Sequence, residues 1–363
     1  AFDTIDLKRC RQKVKKILNS FDISIDLEEI TGRLPVGTQQ KIEILKLLYR
    51  NADILILDEP TAVLTPRETD ELFKTLRELK NEGKTIILTT HKLDEVLEVS
   101  DMVTVLRRGK VTGVLETSNT GKAELSELII GGKFIQQERK SEVPSGKIIL
   151  EVSGLTVKNE RAFPAVRDVS FEISAGEILG IAGVEGNGQT ELIEAVCGLR
   201  KIESGSIKIN GNEITDKTEI AHIPANRHKH GMVAEYTLSE NILLGRENEE
   251  RFSTGLLLKK NAIDSFTENV ITEYDIRPQD HSTLIAGLSG GNQQKLVAAR
   301  EMTKHTDVIV VSHPARGLDI KAANFVYKTI LEESIKGKAI LLVSSDLGEL
   351  LKLCDRIAVM FNG

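Results

Sequence analysis

A chain of 363 residues with 40% hydrophobic and 28% charged side chains has the composition of an ordinary globular protein and the length for two or three domains. Its formal net charge of −6 and the absence of a long Lys/Arg run disfavour a nucleic-acid binder. No apolar run reaches the roughly 18–20 residues of a membrane helix, and the charged first 20 residues do not read as a secretory signal.

Taken in chain order, residues 1–48 read as helical, with a new helix opening after Leu34-Pro35-Val36-Gly37. The apolar run Ile54–Leu57 predicts a buried strand ending at Asp58-Glu59-Pro60-Thr61, and a second strand, Thr85–Leu88, ends at Thr89-Thr90-His91. Between Gly131 and Gly146 polar residues with Gly and Pro replace the apolar periodicity, which marks a linker. Beyond it, strand patterns at Ile148–Val157, Ile178–Ala182, Val308–Val311 and Ala339–Ser344 alternate with helical ones at Gln189–Cys197 and Asn292–Lys304. That alternation predicts an α/β fold with crossover helices. Leu238–Arg300 reads as helical throughout, a helical subdomain inserted into the sheet. Cys10, Cys197 and Cys354 show no CxxC or ligand spacing and read as small buried hydrophobes in a reducing compartment.

The chain repeats itself. Leu34, Gly37, Gln39, Gln40 and Lys41 recur as Leu288, Gly291, Gln293, Gln294 and Lys295, a displacement of 254 (288 − 34). The same displacement carries Asp53, Pro60, Gly83, Lys84, Leu93, Glu95, Asp101 and Gly109 onto Asp307, Pro314, Gly337, Lys338, Leu347, Glu349, Asp355 and Gly363. The expected organisation is residues 1–130 as the C-terminal part of a first domain, 131–146 as linker and 147–363 as a second domain. Only the second repeat contains the material before position 255, so the first is expected to lack its front half, and both ends are expected to be truncated.

Gly183-Val-Glu-Gly186-Asn187-Gly188-Gln189-Thr190 lies between a predicted buried strand and a helix, the layout of a phosphate loop. Its glycines let backbone N–H groups and the helix N-terminus face an anion, and Thr190 offers a hydroxyl to Mg²⁺. Gln189 stands where a lysine normally meets the β- and γ-phosphates. After the strand at 54–57, Asp58 suits a water-mediated Mg²⁺ contact, Glu59 suits polarisation of an attacking water, and His91 falls at the edge of the same site. Ser289-Gly290-Gly291-Asn292 opens a helix with a hydroxyl and free N–H groups directed at a phosphate. Singly, each motif also fits an ordinary turn, cap or surface histidine.

Together, phosphate loop, LSGG-type signature, Walker B and switch histidine occur in the order and spacing of the ABC ATPases, which this sequence resembles along essentially its whole length. The resemblance implies tandem P-loop NTPase domains, each a mostly parallel sheet with an inserted helical subdomain, binding ATP and Mg²⁺. It also implies head-to-tail pairing, each ATP lying between the phosphate loop of one repeat and the signature of the other. At the positions of Asp58, Glu59 and His91 the second repeat carries Ser312, His313 and Ser345, and at Ser289 and Gly290 the first carries Pro35 and Val36. One site therefore combines Asp58, Glu59 and His91 with Ser289–Asn292. The other combines Gln189, Ser312, His313 and Ser345 with Pro35–Gly37 and has lost its catalytic groups.

The segments 34–66 and 180–199 resemble the fused ATPase subunits of bacterial importers for nucleosides and simple sugars, nearest the nucleoside branch. The resemblance implies two integral-membrane permeases, an extracytoplasmic solute-binding lipoprotein, a place on the cytoplasmic face of the cell membrane, and possible pairing with a second copy. It implies no nucleic-acid partner. Ile223-Pro224-Ala225-Asn226-Arg227 departs from the expected Pro-Glu-Asp-Arg, and Ser345-Asp346 is unusual in detail. His228 and His230 lack further ligands and read as a solvated loop, while Phe163 is a candidate for stacking on adenine or for plain packing. Two other classes compete. A soluble twin-ABC translation or repair factor usually keeps both sites intact and has a basic linker; a non-catalytic scaffold would lack a lysine-bearing phosphate loop upstream of residue 1.

Overall fold

The computed structural model describes all residues except 1–5, 21–24, 34–35, 51, 62–63, 65, 91, 108, 131–145, 185, 216–217 and 319. The chain divides into two compact units, Ala1–Phe134 and Ile135–Gly363; all of the expected linker but Gly146 lies outside the described residues. Among the described residues no helix is long and apolar enough to cross a membrane.

Unit 1 contains α1 (Leu7–Ser20), α2 (Val36–Tyr49), β1 (Ile54–Asp58), α3 (Pro66–Asn81), β2 (Thr85–Thr89), α4 (Leu93–Val99), the antiparallel pair β3 (Met102–Arg107) and β4 (Lys110–Glu116), and α5 (Lys122–Ile130). Proline at its first position suits α3, because the missing N–H would have no partner there. The glycine after its last turn, Gly83, sits at φ +86, a conformation that costs glycine little. Strands β1 and β2 run parallel with Asp58 opposite Thr89. Alternation along β1 turns Leu55 and Leu57 onto Ile44 of α2 and Leu72, Phe73, Leu76 and Leu79 of α3, all buried. The other face is bare: Ile54, Ile56 and Ile87 are 60%, 67% and 48% exposed.

Unit 2 begins with β5 (Ile148–Lys158), β6 (Pro164–Ser174) and β7 (Ile178–Ala182), then α6 (Gln189–Val196), β8 (Ser204–Ile209), β9 (Asn212–Glu213) and β10 (Ala221–Ile223). It continues with α7 (Leu238–Leu243), α8 (Lys260–Glu273), α9 (Gly290–Met302), β11 (Val308–Ser312), α10 (Ile320–Ile335), β12 (Ala339–Ser344), α11 (Leu347–Leu353) and β13 (Arg356–Val359). Five strands form a parallel sheet in the order β10-β11-β12-β7-β13. A separate antiparallel sheet, β6-β5-β8-β9, accompanies it.

The central parallel strands β7, β11 and β12 are buried on both faces, as continuous apolar runs require. Ile178, Ile309, Val311, Ile340 and Leu342 meet the helices α9, α10 and α11. Leu179, Ile181, Val308, Val310 and Leu341 meet α6 and the antiparallel sheet. Val308, Val310 and Leu341 are the counterparts, 254 residues on, of the exposed Ile54, Ile56 and Ile87.

Two expectations are corrected. The stretch 238–300 is not helical throughout: between α7 and α8 the chain turns repeatedly through Gly245 and Gly255, both at positive φ, and a Ser253–Leu258 bridge. The antiparallel sheet was also not foreseen, since a strand pattern does not name its neighbour. None of the three cysteines is in a disulfide, and each is only partly buried, less than a small buried hydrophobe. Burial, aided by Glu301 and Glu194, pushes the Cys197 thiol up to about 12, which keeps it protonated and unreactive.

Candidate functional site

In unit 1 the parallel pairing of β1 and β2 brings Asp58 and Thr89 to one edge, where the Thr89 hydroxyl donates to Asp58 Oδ1. Glu59, the next residue, stands at φ +46, and its N–H donates to Thr89 O at 2.9 Å. For a residue other than glycine this left-handed backbone is strained, by about 1–3 kcal/mol. It turns the chain sharply at the strand end.

His91 lies outside the described residues, but both of its neighbours are tied down. Thr61 Oγ1, 1% exposed, donates to both carboxylate oxygens of Glu95 at 2.7 and 2.6 Å. Lys92 Nζ stands 3.0 Å from Glu95 Oε1 and 3.2 Å from Thr61 O, and Lys92 N donates to Thr90 Oγ1 at 3.1 Å. Thr90 and Lys92 are thereby tied to Glu95 and Thr61, in the turn that follows Glu59. This anchor was missed in the sequence; the signal was Glu95, one of the positions kept at the 254-residue displacement.

In unit 2 the phosphate-loop segment follows the fully buried β7. Gly186 and Gly188 have φ +93 and +103, and a Cβ at Gly188 would stand 2.1 Å from Ala165 O, so only glycine fits there. Asn187 Nδ2 and Gln189 Nε2 both donate to Val184 O, at 2.9 and 3.1 Å. Asn187 in turn accepts from Asn362 N through Oδ1 at 2.8 Å. Gln189, 7% exposed, thus folds back inside the loop, whereas Thr190 is exposed at the first turn of α6. A cavity of about 60 Å³ is lined by Gly183, Gln189, Thr190, Ser312 and His313 among others. The four second-repeat positions Gln189, Thr190, Ser312 and His313 therefore do meet. Ser345 is exposed beyond the end of β12.

Ser289 is the N-cap of α9 in extended conformation. Its hydroxyl bonds no helix N–H; instead it accepts from Asn292 Nδ2 at 3.0 Å, while Asn292 Oδ1 accepts from Arg277 N at 3.0 Å. The helix N-terminus therefore keeps unspent N–H groups for an anion. Of the first-repeat counterparts, Pro35 lies outside the described residues, and Val36 and Gly37 open α2. Phe163 is 65% exposed on the turn between β5 and β6, and His228 and His230 are exposed on the turn Arg227–Gly231. No group of three or more metal-ligating side chains exists among the described residues.

Three resemblances to known proteins bear on this arrangement. The ABC transporter family profile matches residues 3–62 and 166–315. The guanosine import ATP-binding protein NupO of Bacillus subtilis is 46% identical over 100% of this chain and 72% of its own length. The nucleoside import ATP-binding protein NupA of Lactococcus lactis subsp. cremoris is 41% identical over 99% of this chain and 72% of its own length. Among solved structures, an archaeal ribosome recycling factor in complex with a ribosomal stalk protein superposes with a TM-score of 0.67 at 22% identity, over 96% of this chain and 65% of that one. At that identity the likeness concerns the fold alone.

Proposed function

The chain belongs to the ABC transporter family as an ATP-binding, ATP-hydrolysing subunit of an importer, and from this premise we propose that it takes up a nucleoside and hydrolyses ATP at one of two unequal sites. The solute follows the names of the relatives at 46% and 41% identity. The inequality rests on one observation: Glu59 and His313 share a backbone, both at φ +46, yet only Glu59 carries a carboxylate.

In the competent site Glu59 orients and polarises the water that attacks the γ-phosphate, and His91 faces the same phosphate. Ser289, Gly290, Gly291 and Asn292 receive that phosphate at the start of α9, where unspent N–H groups and the helix dipole favour an anion. Mg²⁺, when bound, neutralises phosphate charge. Asp58, exposed and hydrogen-bonded to Thr89, has the hard oxygen donors that fit it. In the second site Gly183, Gly186, Asn187 and Gly188 form the phosphate cradle, and Thr190 has a free-facing hydroxyl for a cation. With Gln189 turned inward and Ser312 and His313 replacing the acids, that site lacks a lysine, a metal carboxylate and the carboxylate that Glu59 provides in the other.

Its partners are two permeases and an extracytoplasmic binding protein, which place it on the cytoplasmic face of the membrane; a second copy of the subunit supplies a further route to head-to-tail pairing. In the complete subunit assembled with its permeases, Glu59→Gln abolishes transport-coupled hydrolysis, measured as phosphate release, while His313→Gln leaves it within a few-fold of wild type. Equal losses from the two changes would refute the division.

A further inference from the structure

From β10 the chain enters the wide turn Arg227–Gly231, whose N-cap Asn226 accepts from Lys229 N through Oδ1 at 3.1 Å. The turn sits on α9: a Cβ at Gly231 would meet Arg227, Pro224 and Val297 at 3.3–3.4 Å. Arg227 reaches the first turn of that helix. Its Nε donates to Gln293 Oε1 at 3.3 Å, and Gln293, 5% exposed, is itself fixed by donating to Ile285 O at 3.2 Å. Arg227 Nη2 stands 2.6 Å from where a Cβ on Gly290 would lie, so any side chain at 290 would displace the guanidinium.

Strand β10 holds the other end of α9 as well. Glu301 Oε2 accepts from His222 N at 3.0 Å and from Lys304 Nζ at 2.8 Å, while Arg300 Nε donates to Oε1 at 2.7 Å. The His222 N–H and Arg227 thus hold the two ends of one helix from one strand and its following turn. At Glu301 a backbone N–H meets a carboxylate that Arg300 and Lys304 also neutralise; at Arg227 a cation lies beside a helix N-terminus, where the dipole opposes it. No carboxylate among the described residues pairs with Arg227, and burial pushes its pKa down with no neighbouring anion to counter the effect. Burial pushes His222 down to about 4, with His230 acting in the same direction, so His222 adds no charge here near neutral pH.

A cation and a helix N-terminus side by side repel each other until an anion lies between them. We propose that Arg227 is a nucleotide-positioning residue of the ATPase reaction: through Gly290 and Gln293 it sets the signature turn, and its charge adds to the attraction of that turn for the terminal phosphate. This rests on reading Ser289–Gly291 as the signature. It also gives Gly290 a reason to be glycine, since the guanidinium occupies the space of its missing side chain.

The test uses the complete subunit assembled with its permeases. Arg227→Gln keeps a donor for Gln293 and removes the charge. Losing one charge-assisted contact raises the KM for ATP about tenfold, with kcat within about threefold and Tm within about 2 °C of wild type if the role is positional rather than structural. Arg227→Lys, which keeps the charge but not the planar fork, recovers KM to within about threefold of wild type. A KM unchanged within about twofold in Arg227→Gln overturns the proposal. So does an Arg227→Lys variant as impaired as Arg227→Gln with a lowered Tm, which marks a packing role. Ser289→Arg, run alongside, separates the two readings. If it blocks hydrolysis while Arg227→Gln leaves KM unchanged, only the role of Arg227 falls; if it is harmless, the signature reading itself falls.

Discussion

The ends of β1 and β11 are the same structure carrying different chemistry. At β1 the residue after the strand is Glu59, at φ +46, with its N–H on Thr89 O at 2.9 Å. At β11 it is His313, also at φ +46, with its N–H on Val343 O at 2.8 Å. A backbone conformation that costs about 1–3 kcal/mol persists where the carboxylate does not. The turn therefore belongs to the architecture, which must bring the chain off the strand at this angle, while the side chain on it differs between the repeats, as the proposed division of the two sites requires. Around the turns the asymmetry reverses: the strand with the acid, β1, has one bare face, whereas β11 is buried throughout.

The strongest way to break this comparison crosses the repeats. Ser289 lies in unit 2 and Glu59 in unit 1, yet both are assigned to one nucleotide. Ser289→Arg puts a long cation where the γ-phosphate meets the start of α9 and lowers phosphate release to background, as Glu59→Gln does. Pro35→Arg, at the matching first-repeat position, is assigned to the site that carries Ser312, His313, Ser345 and Gln189 in place of Asp, Glu, His and Lys, and leaves turnover within a few-fold of wild type. Should Pro35→Arg be the damaging change and Ser289→Arg the mild one, the competent and degenerate sites have been exchanged.

How much of this was legible in the sequence differs between strands and sites. The runs 178–182, 308–311 and 339–344 became strands within a residue, because a parallel strand buried on both faces leaves few choices but apolar residues; the run 54–57 became β1 although one of its faces is exposed. The constant displacement of 254 residues paired His313 with Glu59, but the turn they share was not legible, since neither glutamate nor histidine advertises a positive φ. Contacts that depend on three-dimensional neighbours were not legible. Arg227 appeared only as part of an odd Ile-Pro-Ala-Asn-Arg run, because nothing in spacing says that its guanidinium would lie against Gly290. The break between α7 and α8 was hidden by the apolar residues 256–258, which continue a helical pattern on paper and are exposed at the tip of the turn. Two site residues, His91 and Pro35, lie outside the described residues.

The finest distinction between the repeats is a pair of equivalent buried acids. Glu95 lies among Thr61, Thr90 and Lys92, its hydroxyl and ammonium donors. Its counterpart Glu349 has Ala315 in place of Thr61 and Asp346 in place of Lys92. Burial raises the Glu349 pKa; Ser344 and Tyr327 hydroxyls pull it back, Asp346 pushes it further up, and Oε1 is left without a hydrogen-bond partner. Glu95→Gln removes a charge-assisted contact and costs about 1–3 kcal/mol, seen as faster amide exchange in α4. Glu349→Gln has the opposite and smaller effect, raising protection of α11 at pH 7. The sign follows from linkage: a carboxyl whose folded pKa is raised contributes stability that is full below its unfolded value and is lost as pH rises through the folded one. The advantage of the amide is therefore largest at neutral pH and shrinks as pH falls toward the ordinary glutamate range. An advantage that grew on acidification would mean that Glu349 is held ionised like a paired acid, and the electrostatic contrast between the repeats would fail at this position.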